Sequence, residues 1–171
     1  QWYAVPSMNA FGTGNWDMTG GSDPWYMKRV VDYILANNAH LVYDADRFYP
    51  IGGINPRPPL FTWSMAIGAM VLEPFLSTPE DAVWWSMLAL PAVYGALTVF
   101  PIASMAKDHF GKGAGVLAAW LIAFMPAHVT HSTWALADHD AFVMLFISIG
   151  FMYWLRAVKY SGSARITKTT S

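Results

Sequence analysis

Cysteine is absent from this chain of 171 residues. Its absence excludes disulfide frameworks and thiolate metal sites. Charge is scarce as well: 12% of the residues are Asp, Glu, Lys or Arg, about half the share usual in a soluble domain. The deficit comes from long uncharged stretches, the pattern of a membrane protein. With a formal net charge of −1, electrostatics offers no case for nucleic acid as a partner. No Met and no signal-like segment opens the chain, which begins at Gln1 and closes on the polar run Ser161–Ser171. That abrupt start and tail read as a piece of a longer protein.

Apolar and aromatic residues are plentiful. Nine Trp and ten Phe fit aromatic belts at membrane interfaces. Residues 1–59 are polar and irregular and form the expected first external loop. Turns are expected around Gly12, Gly14, Gly20 and Gly21. Asp23-Pro24, as N-cap and N1, followed by apolar spacing up to Asn37-Asn38, predicts a helix over 24–36. Pro50 and the run Asn55–Pro59 keep the next stretch extended.

Three stretches qualify as transmembrane helices: 82–106, 113–133 and 141–158, the last lengthened by snorkelling Arg156. None carries Asp or Glu. The apolar run within 60–78 is fenced by Pro58-Pro59 and Glu73-Pro74 and is expected to lie at the interface without crossing. Residues 134–140 then form a second external loop, and 159–171 a cytoplasmic segment. Every acid except Asp108 falls on the side holding 1–81 and 138–140. The opposite side holds Lys107, Lys112, Arg156 and Lys159, which the positive-inside rule makes cytoplasmic. The fold class is all-α: a polytopic membrane protein with three transmembrane helices and a large external loop carrying one or two interfacial helices.

Asp138-His139-Asp140, at the mouth of a span, is the strongest chemical constellation. Charge at membrane depth is costly unless compensated, and Mg²⁺ or Mn²⁺ compensates carboxylates well. A plain N-cap and first-turn acid is the equal alternative. Asp23, behind Gly20-Gly21-Ser22, is a second candidate ligand or a helix cap. Lys28 and Arg29 suit a phosphate, a carboxylate or a solvated face. Asp44-Ala45-Asp46-Arg47 reads as a solvated turn stabilised by Arg47, and Asp17 lies in a Gly-rich loop. Glu73, Glu80 and Asp81 read as boundary charges. His128, His131 and His139 cluster near one span end; a zinc site there lacks a His-Glu-x-x-His pattern, and hydrogen-bonded interfacial rings are the other reading.

Gly21-Ser22-Asp23-Pro24-Trp25-Tyr26-Met27-Lys28-Arg29 resembles the first acidic motif of STT3/AglB-type oligosaccharyltransferases. Tyr49-Pro50 and Pro58-Pro59-Leu60-Phe61 are similar to the rest of that loop, and Asp138-His139-Asp140 resembles the second, DxD-like motif. The flavour is archaeal. The resemblance implies a GT-C membrane glycosyltransferase with its active site on the external face of the cell membrane, or of the endoplasmic reticulum membrane in a eukaryote. Such an enzyme moves a glycan from a dolichyl phosphate or pyrophosphate carrier to Asn of an Asn-x-Ser/Thr sequon. It further implies that Asp23, Asp138 and Asp140 hold Mn²⁺ or Mg²⁺, that Asp23 is catalytic, and that Arg29 and His139 bind the donor phosphate. The family's Trp-Trp-Asp-Tyr-Gly motif is absent, so the chain alone is expected to be inactive. The alternatives are another GT-C enzyme, such as a protein O-mannosyltransferase, a transporter fragment and a membrane subunit without chemistry. A transferase requires Asp23 and Asp138 on one side of the membrane.

Overall fold

The computed structural model describes Met18 and residues 21–169, with side chains described as far as Tyr160. The turns expected at Gly12, Gly14 and Gly20, and the loop carboxylate Asp17, lie outside the described residues, as do Thr170 and Ser171. The chain divides into two compact units, one of residues 1–92 with 133–139 and one of 93–132 with 140–171. Among the described residues helix dominates, as the all-α expectation holds, apart from one small strand pair.

In the first unit, α1 spans Asp23–Asn37. Ser22, not Asp23, is its N-cap: the Ser22 carbonyl accepts the Tyr26 N–H at 3.1 Å. Asp23 and Pro24 are therefore the first two helical residues. Pro24 costs nothing there, because a first-turn N–H has no helical partner anyway. Asn38 ends the helix in the left-handed region, with φ 52°, its N–H returned to the Ile34 carbonyl. Met27, Val30, Val31 and Ile34 form the buried stripe at i, i+3, i+4, i+7.

The stretch expected to be merely extended contains an antiparallel pair, β1 (Tyr43–Asp44) and β2 (Gly53–Ile54), with Tyr43 opposite Ile54 and Asp44 opposite Gly53. So short a ladder leaves almost no period-two signal to read in the sequence.

Helix α2 spans Pro59–Leu72 and passes into a single 3-10 turn at Glu73–Phe75. At ~1.5 Å per residue it is about 21 Å long, short of the ~30 Å bilayer core. Phe61, Met65, Ala66 and Ala69 are buried, while Leu60, Ile67 and Val71 are exposed. Helix α3 spans Pro79–Phe110 and extends the expected 82–106 at both ends. Thr78 caps it: its hydroxyl accepts the Asp81 N–H at 3.1 Å and donates to the Asp81 carboxylate at 2.8 Å. Ala82, Val83, Trp84, Met87 and Leu88 complete this unit's core. Gly68 lets α2 and α3 approach, since a Cβ there would lie 2.5 Å from the Ser86 hydroxyl oxygen. That hydroxyl, buried, donates to the Met65 carbonyl at 2.7 Å.

In the second unit, Gly111 alone separates α3 from α4 (Lys112–Phe124), with φ 93°. The expected span 113–133 is not one helix. It breaks at Met125, which is extended at ψ 118°, and resumes as α5 (Pro126–His131). The ring of Pro126 disfavours α geometry in the residue before it and removes a helical donor. Helix α6 runs Asp140–Thr169, so the expected cytoplasmic segment from 159 continues as helix. Among the described residues, two helices are long and apolar enough to cross a bilayer, Pro79–Phe110 and Asp140–Tyr160. Phe100, Val116, Trp120, Phe124, Phe151 and Trp154 are all more than half exposed.

The contact of α3 with α5 is set at Gly95. Its carbonyl faces His128 Nε2 at 3.1 Å. A Cβ at Gly95 would overlap Ser132 Cβ and sit 2.5 Å from the Ser132 hydroxyl oxygen. Gly95→Ala is therefore expected to destabilise the full-length protein by about 1–3 kcal/mol through overpacking. Gly113→Ala, where a Cβ meets nothing within 4 Å, should stay within about 1 kcal/mol of wild type. Thermal unfolding in detergent, with both variants side by side, checks the contrast.

Candidate functional site

The acidic triplet sits where a short, backbone-tied segment meets a helix start. Within residues 133–139 the Ala135 N–H donates to the Leu88 carbonyl at 3.0 Å, and the Asp138 N–H to the Leu136 carbonyl at 2.7 Å. Trp134 packs edge-on to Trp85, with ring centroids 5.8 Å apart. Asp138 Oδ1 accepts from the His139 backbone N–H at 2.7 Å and lies 2.6 Å from His139 Nδ1. With the proton on Nδ1 for that bond, His139 Nε2 keeps its lone pair for a ligand. Asp140 is the first residue of α6, where the unpaired helix N–H groups favour an anion. Its Oδ2 lies 2.7 Å from His131 Nδ1.

Asp138, His139 and Asp140 are half-buried and offer two carboxylates and an imidazole, with ligand atoms all within 4.8 Å of one another. That proximity is local, since the three are consecutive in the chain. An oxygen–nitrogen–oxygen donor set suits Mn²⁺, and its carboxylates suit Mg²⁺. The residues present therefore fit the cation that the sequence resemblance implies.

Asp23 does not belong to that group. Its carboxylate, 47% exposed, pairs with Arg57 Nη2 at 2.7 Å. Arg57 was not singled out from sequence; its signal was a lone cation in the proline-rich run Asn55-Pro56-Arg57-Pro58-Pro59.

Arg29 has a different partner from the one expected. It grips Asp44 through Nε at 3.0 Å and Nη2 at 2.9 Å, and Nη2 also reaches Asp46 at 2.6 Å. Asp44 is only 2% exposed. The expected solvated turn is thus a buried carboxylate with a bidentate arginine, and the stabilising residue is Arg29 rather than Arg47. Arg47 instead donates to the Ile54 carbonyl and lies over the Tyr26 and Phe48 rings. The hydrogen bonds from Arg29 hold the Asp44 carboxyl below its ordinary range, outweighing the upward push of burial. Lys28 meets carboxylates too, Asp32 at 2.8 Å and Glu80 at 2.9 Å, tying α1 to α3. Burial lowers its ammonium, but those two hydrogen bonds leave it raised overall.

The three histidines near the span end are all hydrogen-bonded: His128 to the Gly95 carbonyl, His131 to Asp140 and His139 to Asp138.

The family described as oligosaccharyl transferase STT3, N-terminal, matches residues 4–167. A dolichyl-phosphooligosaccharide-protein glycotransferase 3 of Archaeoglobus fulgidus is 30% identical over 108 residues, covering 63% of this chain and 12% of that protein. The STT3 subunit of a dolichyl-diphosphooligosaccharide–protein glycosyltransferase of Saccharomyces cerevisiae is 27% identical over 143 residues, 80% of this chain and 20% of the relative. The dolichyl-monophosphooligosaccharide–protein glycotransferase AglB of Haloferax volcanii is 29% identical over 143 residues, 81% of this chain and 13% of the relative. The chain thus spans a fifth or less of the length of these relatives. No solved structure matches it. With the family matched across nearly the whole chain, residues 4–167, the chain belongs to the STT3 oligosaccharyl transferase family, in its N-terminal region.

Proposed function

We propose that the protein to which this chain belongs is a metal-dependent membrane oligosaccharyltransferase. It transfers a glycan from a dolichyl phosphate or pyrophosphate carrier to Asn of an Asn-x-Ser/Thr sequon, with the reacting groups on the external face. The observation that carries this reading is the Asp138-His139-Asp140 donor set in a chain whose family is STT3. Asp138, His139 and Asp140 would hold Mn²⁺ or Mg²⁺, with Asp23 as the further acidic ligand. The bound ion supplies charge stabilisation for the departing phosphate. Ala135, Leu136 and Trp134 hold the Asp138 backbone, and the start of α6 holds Asp140, so the carboxylates are placed before substrate arrives.

The architecture proposed for the membrane is of GT-C type with three crossings. α3 and α6 cross alone. α4 is about 20 Å long and reaches the bilayer thickness only together with α5, across the kink at Pro126. Residues 1–78, including an interfacial α2, then lie outside, and Lys107, Lys112, Arg156 and Lys159 lie in the cytoplasm. The acids cluster at helix ends rather than in mid-span, which favours a surface reaction over a transport pathway.

The test uses the full-length protein, a dolichyl-linked oligosaccharide and a sequon peptide. Transfer is expected to stop when EDTA strips divalent cations and to return with Mn²⁺ or Mg²⁺. Transfer that persists in EDTA after exhaustive dialysis sinks the metal assignment.

A further inference from the structure

The proposed donor carries phosphate charge, and the site beside Asp23 therefore needs a cation that is not already committed. The sequence points to Arg29, but Asp44 and Asp46 occupy its Nε and Nη2 at 2.6–3.0 Å. Withdrawing it would leave the buried Asp44 carboxylate unpaired. Lys28 is likewise engaged by Asp32 and Glu80.

Arg57 is placed differently. Its Nη2 lies 2.7 Å from Asp23 Oδ1. A guanidinium carries five N–H donors in a planar fork, so this contact leaves most of them for a second anion. Its backbone is fixed. The Arg57 N–H donates to Asn55 Oδ1 at 3.0 Å, and Asn55, almost fully buried, donates through Nδ2 to the Leu41 carbonyl at 2.9 Å. Pro56 and Pro58 restrict the chain on either side. The side chain is 21% exposed and its Asp23 partner 47%, so solvent and ligand reach the pair. A pre-set backbone lowers the ordering cost of a bidentate Arg–phosphate contact.

We propose that Arg57, rather than Arg29, receives the phosphate of the prenyl-linked donor beside Asp23. The inference rests on the transferase reading above. It has Arg57 bind charge without ligating metal, and it gives Asp23 a positioned partner.

The test is binding of citronellyl phosphate, a short prenyl phosphate, to the full-length protein in detergent at fixed Mn²⁺. Arg57→Gln is expected to weaken it by at least about tenfold, or ~1.4 kcal/mol. Arg57→Lys, which keeps the charge but not the fork, should fall between Arg57→Gln and wild type, and Arg29→Gln should leave binding of the folded fraction unchanged. Mn²⁺ affinity, read by electron paramagnetic resonance, should not fall in Arg57→Gln. Equal binding in wild type and Arg57→Gln overturns the inference. So does an equal loss in Arg57→Lys and Arg57→Gln accompanied by loss of Mn²⁺, which would make Arg57 a support for Asp23 alone. A wild-type protein that binds no prenyl phosphate overturns the transferase reading itself.

Discussion

Asp138→Asn in the full-length protein is expected to lower Mn²⁺-supported glycan transfer by at least about 100-fold, a loss of ~2.7 kcal/mol in transition-state stabilisation. The substitution removes the charge but almost no volume. Asn keeps an oxygen that can accept the His139 N–H, which Asp138 Oδ1 now accepts at 2.7 Å. The segment around it is held by bonds that do not involve the Asp138 side chain: the Ala135 N–H to Leu88, the Asp138 N–H to Leu136, and Trp134 against Trp85. Thermal unfolding should therefore move little while transfer collapses. The Mn²⁺ concentration giving half-maximal transfer should rise alongside, since a neutral amide is a weaker ligand for a hard cation. Asp140→Asn should act in the same direction, with the added loss of the anion facing His131 Nδ1 at 2.7 Å. Transfer at wild-type rates in Asp138→Asn would refute the ligand role.

Arg29→Ala is expected to lower stability by about 2–3 kcal/mol, because it leaves Asp44 buried without its partner. The lower end of the buried-pair range applies, since Arg29 itself is 49% exposed. The pH dependence has a definite sign. In the wild type the Asp44 carboxyl is held down by the hydrogen bonds from Arg29. The stability from that pair is complete above the unfolded carboxyl value of about 3.9 and is lost only as pH falls through the lower folded value. Without Arg29, burial pushes the Asp44 carboxyl up against the backbone hydrogen bonds from Asp46 and Arg47 alone, so its folded value rises relative to the wild type. The variant should then gain less stability than the wild type as pH rises from the acid side toward neutrality. The gap between the two proteins is expected to be widest near pH 7 and to narrow below about pH 4. Denaturation at several pH values measures this. A pH-independent gap would show that the guanidinium acts through packing alone. A raised donor KM with unchanged stability would return Arg29 to the phosphate site.

Much of this was legible in the sequence because it is local. The α1 boundaries followed from Pro24 and Asn38, whose backbone preferences act within a few residues. The long apolar stretch ending before Lys107 and the one after Asp140 announced α3 and α6 by hydropathy. The break in 113–133 was also local, visible as Pro126; counting length alone concealed it. The chain likewise displayed the Asp138-His139-Asp140 donor set, since consecutive residues are neighbours in any fold.

Long-range pairing was not legible. Asp44-Ala45-Asp46-Arg47 offers an arginine at close range, and sequence proximity selected it. The fold instead brings Arg29, fifteen residues earlier, against the buried carboxylate of Asp44 in β1. A buried charge takes the partner that can reach it with bidentate geometry, and reach is a property of how α1 lies beside the strands. Arg57 came to Asp23 in the same way, across thirty-four residues. The sequence by itself therefore determined the apolar character of the long helices, the helix-forming segments and the supply of hard ligands, because these follow from composition and near-neighbour sterics. Only the tertiary structure decided which cation answers which carboxylate, because electrostatic and hydrogen-bond energies fall off within a few ångströms and only folding sets those distances.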